Sequence, residues 1–149
     1  MEIRPFSKKD FATYRSWYAD PDLNRELGPM DDQWLEFVLD ESPPKEFSFL
    51  EDGNLVAVIG TAAPESQSDA TWYITAIAVD PSRKRKGVGK QALQMLIQHH
   101  AELANTPQVW IAWVGLSNQT AVAFFEELGW IKNVETKTDD MYQFRLEMS

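Results

Sequence analysis

Val79-Asp80-Pro81-Ser82-Arg83-Lys84-Arg85-Lys86-Gly87-Val88-Gly89-Lys90 is the stretch on which the reading of this chain turns. Five of the fourteen cationic side chains fall in the eight residues 83–90, with two glycines among them. An apolar run, Ile74 to Val79, leads in, and an amphipathic run, Gln91 to Leu103, leads out. A strand that feeds a basic, glycine-bearing turn opening a helix is the architecture of an anion cradle, because the first N–H groups of a helix have no acceptor of their own. The rest of the chain carries nine cations against twenty-three acids. A positive spot on so negative a body implies a local reason, and an anionic ligand is the simplest. The competing structural reading is a solvated basic turn whose glycines serve geometry alone.

Working outward, Met1 to Phe6 reads as a short strand. Ser7-Lys8-Lys9-Asp10 is a capping-box-like start to a helix reaching about Tyr18, with Phe11, Tyr14 and Tyr18 on one face. Asp20-Pro21 and Gly28-Pro29 read as breaks. Asp31 to Leu39 is expected as a short helix with Trp34, Phe37 and Val38 inward. Glu46–Leu50 and Leu55–Thr61 flank the turn signal Asp52-Gly53-Asn54 and predict a hairpin. Pro64 to Asp69 reads as a polar loop. Trp72–Val79 has the few polar positions of a strand buried on both faces. Gly89–Leu103 is helical, with Ala92, Leu93, Leu96, Ile97 and Leu103 as its stripe. Pro107–Val114 is a strand. Ser117 is expected to cap a helix through Leu128, with Gly129 as its C′ residue. Trp130–Val134 and Tyr142–Leu146 close the chain as an antiparallel pair. The order β-α-α-β-β-β-α-β-α-β-β predicts an α/β domain, a mixed sheet with helices on both faces.

Composition bounds the rest. At 149 residues one domain is expected, spanning 1–149, and its six Trp, eight Phe and four Tyr supply ample core. The chain has no cysteine, which excludes disulfides, thiolate metal sites and a cysteine nucleophile. No apolar run approaches the ~20 residues of a membrane span, and the start of the chain has no signal core. A cytoplasmic protein is the expectation. A net charge of −9 argues against nucleic acid and anionic membranes as partners. No His/Asp/Glu grouping has metal-ligand spacing, so no metal is expected.

Three cradles compete for the glycine turn. A phosphate-binding loop of the Gly-x-x-x-x-Gly-Lys-Ser/Thr kind fails twice, since Lys84 stands at its early glycine and Gln91 at its hydroxyl. A dinucleotide fingerprint would require Gly87-Val88-Gly89 and then Ala92, but the acid that should end a second strand about 20 residues on falls where the chain is still leaving a helix. The third cradle holds coenzyme A, whose pyrophosphate needs backbone N–H donors and whose 3′-phosphate suits surface Lys and Arg.

Here the residues resemble the GNAT superfamily of acyl-CoA-dependent N-acyltransferases. Lys84-Arg85-Lys86-Gly87-Val88-Gly89, after Ala78-Val79-Asp80-Pro81, resembles that family's Arg/Gln-x-x-Gly-x-Gly/Ala turn. Asn118-Gln119-Thr120-Ala121-Val122-Ala123-Phe124-Phe125-Glu126-Glu127-Leu128-Gly129-Trp130 is similar to its Asn-x-x-Ala-x-x-Phe-Tyr-Glu-x-Leu-Gly-Phe segment. The resemblance implies a mostly antiparallel central sheet in which two parallel strands splay, here Trp72–Val79 and Pro107–Val114. It implies acetyl-CoA as co-substrate and an amine, small-molecule or peptide, as acceptor. The backbone of Ile77 and Val79, flanking Ala78, would take the pantetheine arm. Amides of Lys84, Arg85, Lys86, Gly87, Val88, Gly89 and Lys90 would hold the pyrophosphate. Asn118 would reach the pantetheine or sulfur side, and an N–H near Ile77 would polarise the thioester carbonyl. Departures stand out at the turn and at the chemistry. The family's Arg/Gln at the turn is Lys84 here, and the small residue after it is Arg85, which makes the turn bulkier. The family's thiolate-protonating tyrosine is Phe125, and the carboxylate that acts as base in histone-type members falls at Tyr73.

Tyr73 shares strand parity with Thr75 and Ile77 and is the candidate for proton transfer, with a packed tyrosine as the plainer reading. Trp113 reads as a core aromatic rather than a wall of an acceptor cleft. Glu26, Asp31, Asp32 and Glu65 fall in segments that border the acceptor in the family, though acids like these are usually solvated surface. His99 and His100 read as surface residues. A non-catalytic acyl-CoA-binding module and a nucleotide or nucleic-acid binder stand as rival functions, and a homodimer stays open.

Overall fold

The computed structural model describes residues 1–148 apart from 42, 65, 67–69, 85, 104–105 and 139, and for 134–138 it describes the backbone alone. The seven strands are β1 (Glu2–Pro5), β2 (Glu46–Glu51), β3 (Asn54–Ala62), β4 (Thr71–Val79), β5 (Val109–Gly115), β6 (Ile131–Thr138) and β7 (Met141–Glu147). They form one mixed sheet in the order β1-β2-β3-β4-β5-β7-β6. The β1–β2, β2–β3, β5–β7 and β6–β7 ladders are antiparallel, and β4–β5 is parallel. The helices are α1 (Phe11–Ser16), α2 (Pro21–Leu27), α3 (Asp32–Asp40), α4 (Val88–Ala101) and α5 (Gln119–Glu127). The mixed α/β architecture is the one the element order predicts. The chain divides into two compact units, Met1–Gly60 with Ala76–Leu96, and Thr61–Thr75 with Ile97–Ser149.

The first unit is built around Phe6, Phe11, Tyr14, Trp17, Met30, Leu35, Val38, Leu55, Val58 and Ala78. Trp34 packs against that core, edge-on to Phe6 at 5.3 Å. Asp10 is buried as well, paired with a half-buried Arg4. Asp10, 5 % exposed, accepts both guanidinium nitrogens of Arg4 at 2.7 and 2.6 Å, the Ser7 N–H at 3.0 Å and the Ser48 hydroxyl at 2.9 Å. Burial alone would raise this carboxyl. The hydrogen bonds from Arg4, Ser7 and Ser48 outweigh it and hold Asp10 below the usual carboxylate range. The Ser7–Asp10 box thus does more than cap a helix, since it also fixes β1 and β2 to the first turn.

The start of this unit departs from the sequence reading in three places. The expected first helix is a 3-10 turn (Lys8–Asp10), then α1, then a second 3-10 turn (Trp17–Ala19). Asp20-Pro21 ends that helix as expected but also begins α2: the Asp20 side chain caps it, and proline at the first helical position has no N–H to lose. Phe37, expected inward, is 68 % exposed, and Leu35 takes the inward position beside Val38. The α3 helix starts one residue later than the reading had it, with Asp31 as its N-cap, and its buried face runs through Leu35 and Val38, three residues apart.

In the second unit Trp110 and Phe144 are fully buried, and Phe125 stacks on Phe144 at 5.4 Å and meets Trp130 at 4.9 Å. His100 corrects its reading as a surface residue. It is 2 % exposed, with Trp72 and Trp110 edge-on at 5.1 and 5.3 Å. The α4 helix stops at Ala101, so Leu103 falls outside the stripe expected of it and is 37 % exposed. Asn118 rather than Ser117 caps α5, and Gly129 follows at φ +83°, a left-handed C′ position suited to glycine.

Candidate active site

The basic stretch begins where β4 ends. The Asp80 N–H donates to the Val56 carbonyl at 3.0 Å, tying the strand's exit to β3. Asp80 then caps a 3-10 turn, Pro81–Arg83, its carboxylate accepting the N–H and hydroxyl of Ser82 at 3.0 and 2.9 Å. Gly87 is at φ +78°, and a Cβ there would meet nothing within 4 Å. Glycine is therefore required by conformation and not by crowding. Immediately after it α4 runs for fourteen residues with no acid in its first turn. The Gln91 N–H is the one that donates back to the Gly87 carbonyl, at 3.0 Å. The N–H groups of Val88, Gly89 and Lys90 precede it and have no intrahelical acceptor.

That donor set fits a diphosphate. Three amides stand at the positive end of a long helix whose first turn carries no acid, behind an exposed turn. Lys86 and Lys90 are exposed and form no ion pair with a described residue. Lys84 donates to Asp20 at 3.0 Å, and Arg83 lies 3.6 Å from Asp80 and 3.8 Å from Glu51. Among the described residues, two of the turn's cations thus have no carboxylate partner and two already face carboxylates. Arg85, expected among the pyrophosphate residues, lies outside the described residues.

On β4, Ala78 is fully buried, and Ile77 and Val79 are half-buried. The parallel ladder to β5 covers four residue pairs, from Thr71–Val109 to Ile74–Ala112, and β4 continues past it to Val79. Ile77 and Val79 therefore lie beyond the ladder's last pair. Tyr73 sits within the ladder, opposite Ile111, and is half-buried. Trp113, expected in the core, is 38 % exposed on β5.

The Asn118 side chain caps α5. Its oxygen accepts the Ala121 N–H at 3.2 Å as the cap of α5, which leaves the Nδ2 group as a donor. Phe125 is 4 % exposed and its ring is committed to Phe144 and Trp130. Of the acids expected near an acceptor, Asp31 caps α3 through the Trp34 N–H at 3.0 Å, Asp32 and Glu26 sit in the helices α3 and α2, and Glu65 lies outside the described residues.

Two titratable positions were missed by sequence reasoning. Asp20 binds a cation from the basic turn, a contact between residues 64 apart that no local pattern signals. Glu46 is the second. Burial pushes its carboxyl up to about 8, with Glu41 adding repulsion. One carboxylate oxygen of Glu41 is itself buried with no hydrogen-bond partner among the described residues. Tyr14 and Tyr18 join hydroxyls at 2.6 Å, and burial pushes Tyr18 up to about 12.

The family model described as "Acetyltransferase (GNAT) family" matches residues 11–130. The chain belongs to the GNAT acetyltransferase family. No curated protein matches it. Among solved structures, it is similar to Ard1 from Thermoplasma volcanium, with a TM-score of 0.75 at 19 % identity over 99 % of this chain and 97 % of that one. The ribosomal-protein-S18-alanine N-acetyltransferase of Escherichia coli gives 0.69 at 18 %, over 99 % and 95 %. A chain of the NatB acetyltransferase complex, bound to CoA and MES, gives 0.76 at 18 % over the whole of both chains. At these identities the likeness is one of fold, and it covers the full GNAT architecture.

Proposed function

We propose that this GNAT protein transfers the acetyl group of acetyl-CoA to a primary amine by direct attack, with no covalent enzyme intermediate. The observation that carries the reading is the turn at Gly87. A left-handed glycine leads into a fourteen-residue helix whose first three N–H groups have no acceptor within the helix, in a family whose co-substrate ends in phosphates. Acetyl-CoA, when bound, would supply the activated thioester. Backbone amides of Lys84 and of Lys86 through Lys90 would hold its diphosphate, with the Lys86 and Lys90 side chains as nearby cations. The peptide groups of Ile77 and Val79, past the end of the β4–β5 ladder, pair with the pantetheine arm as an added strand would. An N–H near Ile77 polarises the carbonyl as charge develops on its oxygen. Asn118 donates its Nδ2 to the arm.

Tyr73 carries the proton to the leaving thiolate. Phe125 stands where relatives of this kind carry a tyrosine, and a phenyl ring donates nothing. A thiol with a pKa near that of cysteine, about 8.5, leaves tolerably well, so positioning and backbone electrostatics supply most of the rate. Tyr73→Phe is expected to lower kcat about tenfold or more with acetyl-CoA affinity unchanged, as a proton-transfer group should. Unchanged kcat would remove Tyr73 from the chemistry.

The acceptor is an amine of small-molecule or peptide origin. The test is thiol release from acetyl-CoA against a panel of amines and peptide N-termini, paired with calorimetry of acetyl-CoA alone. Transfer to at least one amine supports the proposal. The second reading, a non-catalytic acyl-CoA-binding module, is favoured by the burial of Phe125 in place of a proton donor, and it predicts binding heat with no transfer to any amine.

A further inference from the structure

Lys84 occupies the first position of the Lys84-to-Gly89 turn, yet its ammonium group is held by a carboxylate from elsewhere in the fold. The Asp20 side chain divides its two oxygens. Oδ1 accepts the N–H groups of Asp22 and Leu23 at 2.9 and 3.2 Å, capping α2, and Oδ2 accepts Lys84 Nζ at 3.0 Å. The side chains are 46 % exposed at Lys84 and 21 % at Asp20, so the pair is reachable by solvent and by an anion. A contact of this kind is weak and readily exchanged. At equal distance a diphosphate bearing two charges attracts an ammonium about twice as strongly as one carboxylate does.

We propose that Asp20 and the cofactor's diphosphate compete for Lys84, so that Asp20 acts as a positioning residue that holds this cation away from the cofactor until the cofactor arrives. The inference rests on the reading that the Gly87 turn binds the diphosphate, and it adds a residue outside the turn that sets the affinity. If cofactor binding takes Lys84 from Asp20, then Asp20 must weaken cofactor binding to the same degree, because coupling between two equilibria is reciprocal. The cap of α2 uses the other oxygen of Asp20 and is not part of the exchange. Cofactor binding would therefore leave α2 capped and free one carboxylate oxygen at its N-terminus.

The experiment is a double-mutant cycle on acetyl-CoA affinity, measured by calorimetry on the full chain. Asp20→Asn keeps a good N-cap while removing the charge that holds Lys84. Should that variant unfold too readily, Asp20→Ser serves the same purpose. Asp20→Asn is expected to tighten acetyl-CoA binding about two- to fivefold, the range set by an exposed ion pair. In a Lys84→Met background the same substitution should change nothing, and in a Lys84→Arg background the tightening should return. Asp22→Asn, which removes a neighbouring exposed acid paired to Arg25 at 3.1 Å, controls for the general loss of negative charge. Equal tightening by Asp20→Asn with and without Lys84 would overturn the competition, as would no tightening in either. Both of those results leave the acetyl-CoA reading standing. A wild-type protein that binds no acetyl-CoA overturns that reading and this inference with it.

Discussion

Glu46 opens β2 as a carboxyl that the fold keeps protonated. Burial raises it from the ordinary value of 4.5 to about 8, and Glu41 adds to the shift. The folded chain therefore holds a proton at pH 5–8 that the unfolded chain has released. Stability from this group is fully present below pH 4.5, declines as pH rises, and is gone above about 8. Asp10 works in the opposite sense, since its lowered value makes its contribution fail as pH falls through the acid range. Between pH 5 and 8 the Glu46 effect stands apart. Urea unfolding at both pH values should show wild type losing on the order of 1–3 kcal/mol more than Glu46→Gln, which cannot titrate, across the interval. Parallel losses in the two proteins would mean that Glu46 is ionised in the fold. None of this was visible in the sequence, where Glu46 is one acid at the start of an apolar strand. Its burial and the approach of Glu41 are products of tertiary packing.

At the scale of elements, the turn before α4 tests whether glycine is there for its backbone or for the space around it. Gly87 has open space where a Cβ would project and a φ of +78° that ordinary side chains avoid. Gly87→Ala should destabilise the protein by roughly 1–2 kcal/mol, because the left-handed region costs about that much for a residue with a Cβ. Gly87→Asn should cost distinctly less, since asparagine tolerates that region. Both should weaken acetyl-CoA binding less than Gly87→Glu, which adds a negative charge beside the diphosphate. Thermal unfolding and calorimetry on the three variants separate the two effects. An alanine variant as stable as wild type would show that the turn does not need its left-handed residue. This turn was legible in the sequence because glycine, cations and a strand-to-helix change all fall within twelve residues. The helix α5 was legible from its apolar stripe and the glycine after it, although its cap was read one residue early. What escaped was set at longer range. The helix α2 was hidden because Asp20-Pro21 signals an end as well as a start. Phe37 and Trp113 came out exposed because the register of α3 and the cover over β5 depend on contacts that periodicity does not encode. His100 came out buried because two tryptophans from β4 and β5 close over it.

The whole molecule carries a net charge of −9, while its proposed cofactor site is a cluster of cations, and the two fields oppose each other for an anionic ligand. Distance decides between them. Lys86 and Lys90 belong to the turn itself, the nearby acids Asp20, Asp80 and Glu51 already face Lys84 and Arg83, and charges farther off than about 8 Å are largely screened at physiological salt. The near cations should win. Acetyl-CoA affinity should then fall as salt rises, by several-fold between 50 and 500 mM NaCl on the order expected for a few charge contacts. Coenzyme A lacking its 3′-phosphate should bind more weakly and show a shallower salt slope, since it offers fewer charges to the same lysines. Lys86→Gln with Lys90→Gln should flatten the slope for the intact cofactor to a similar extent. Affinity that rises with salt would mean that the acidic body governs the approach of the cofactor, and that the turn binds through its amides with little help from its side chains.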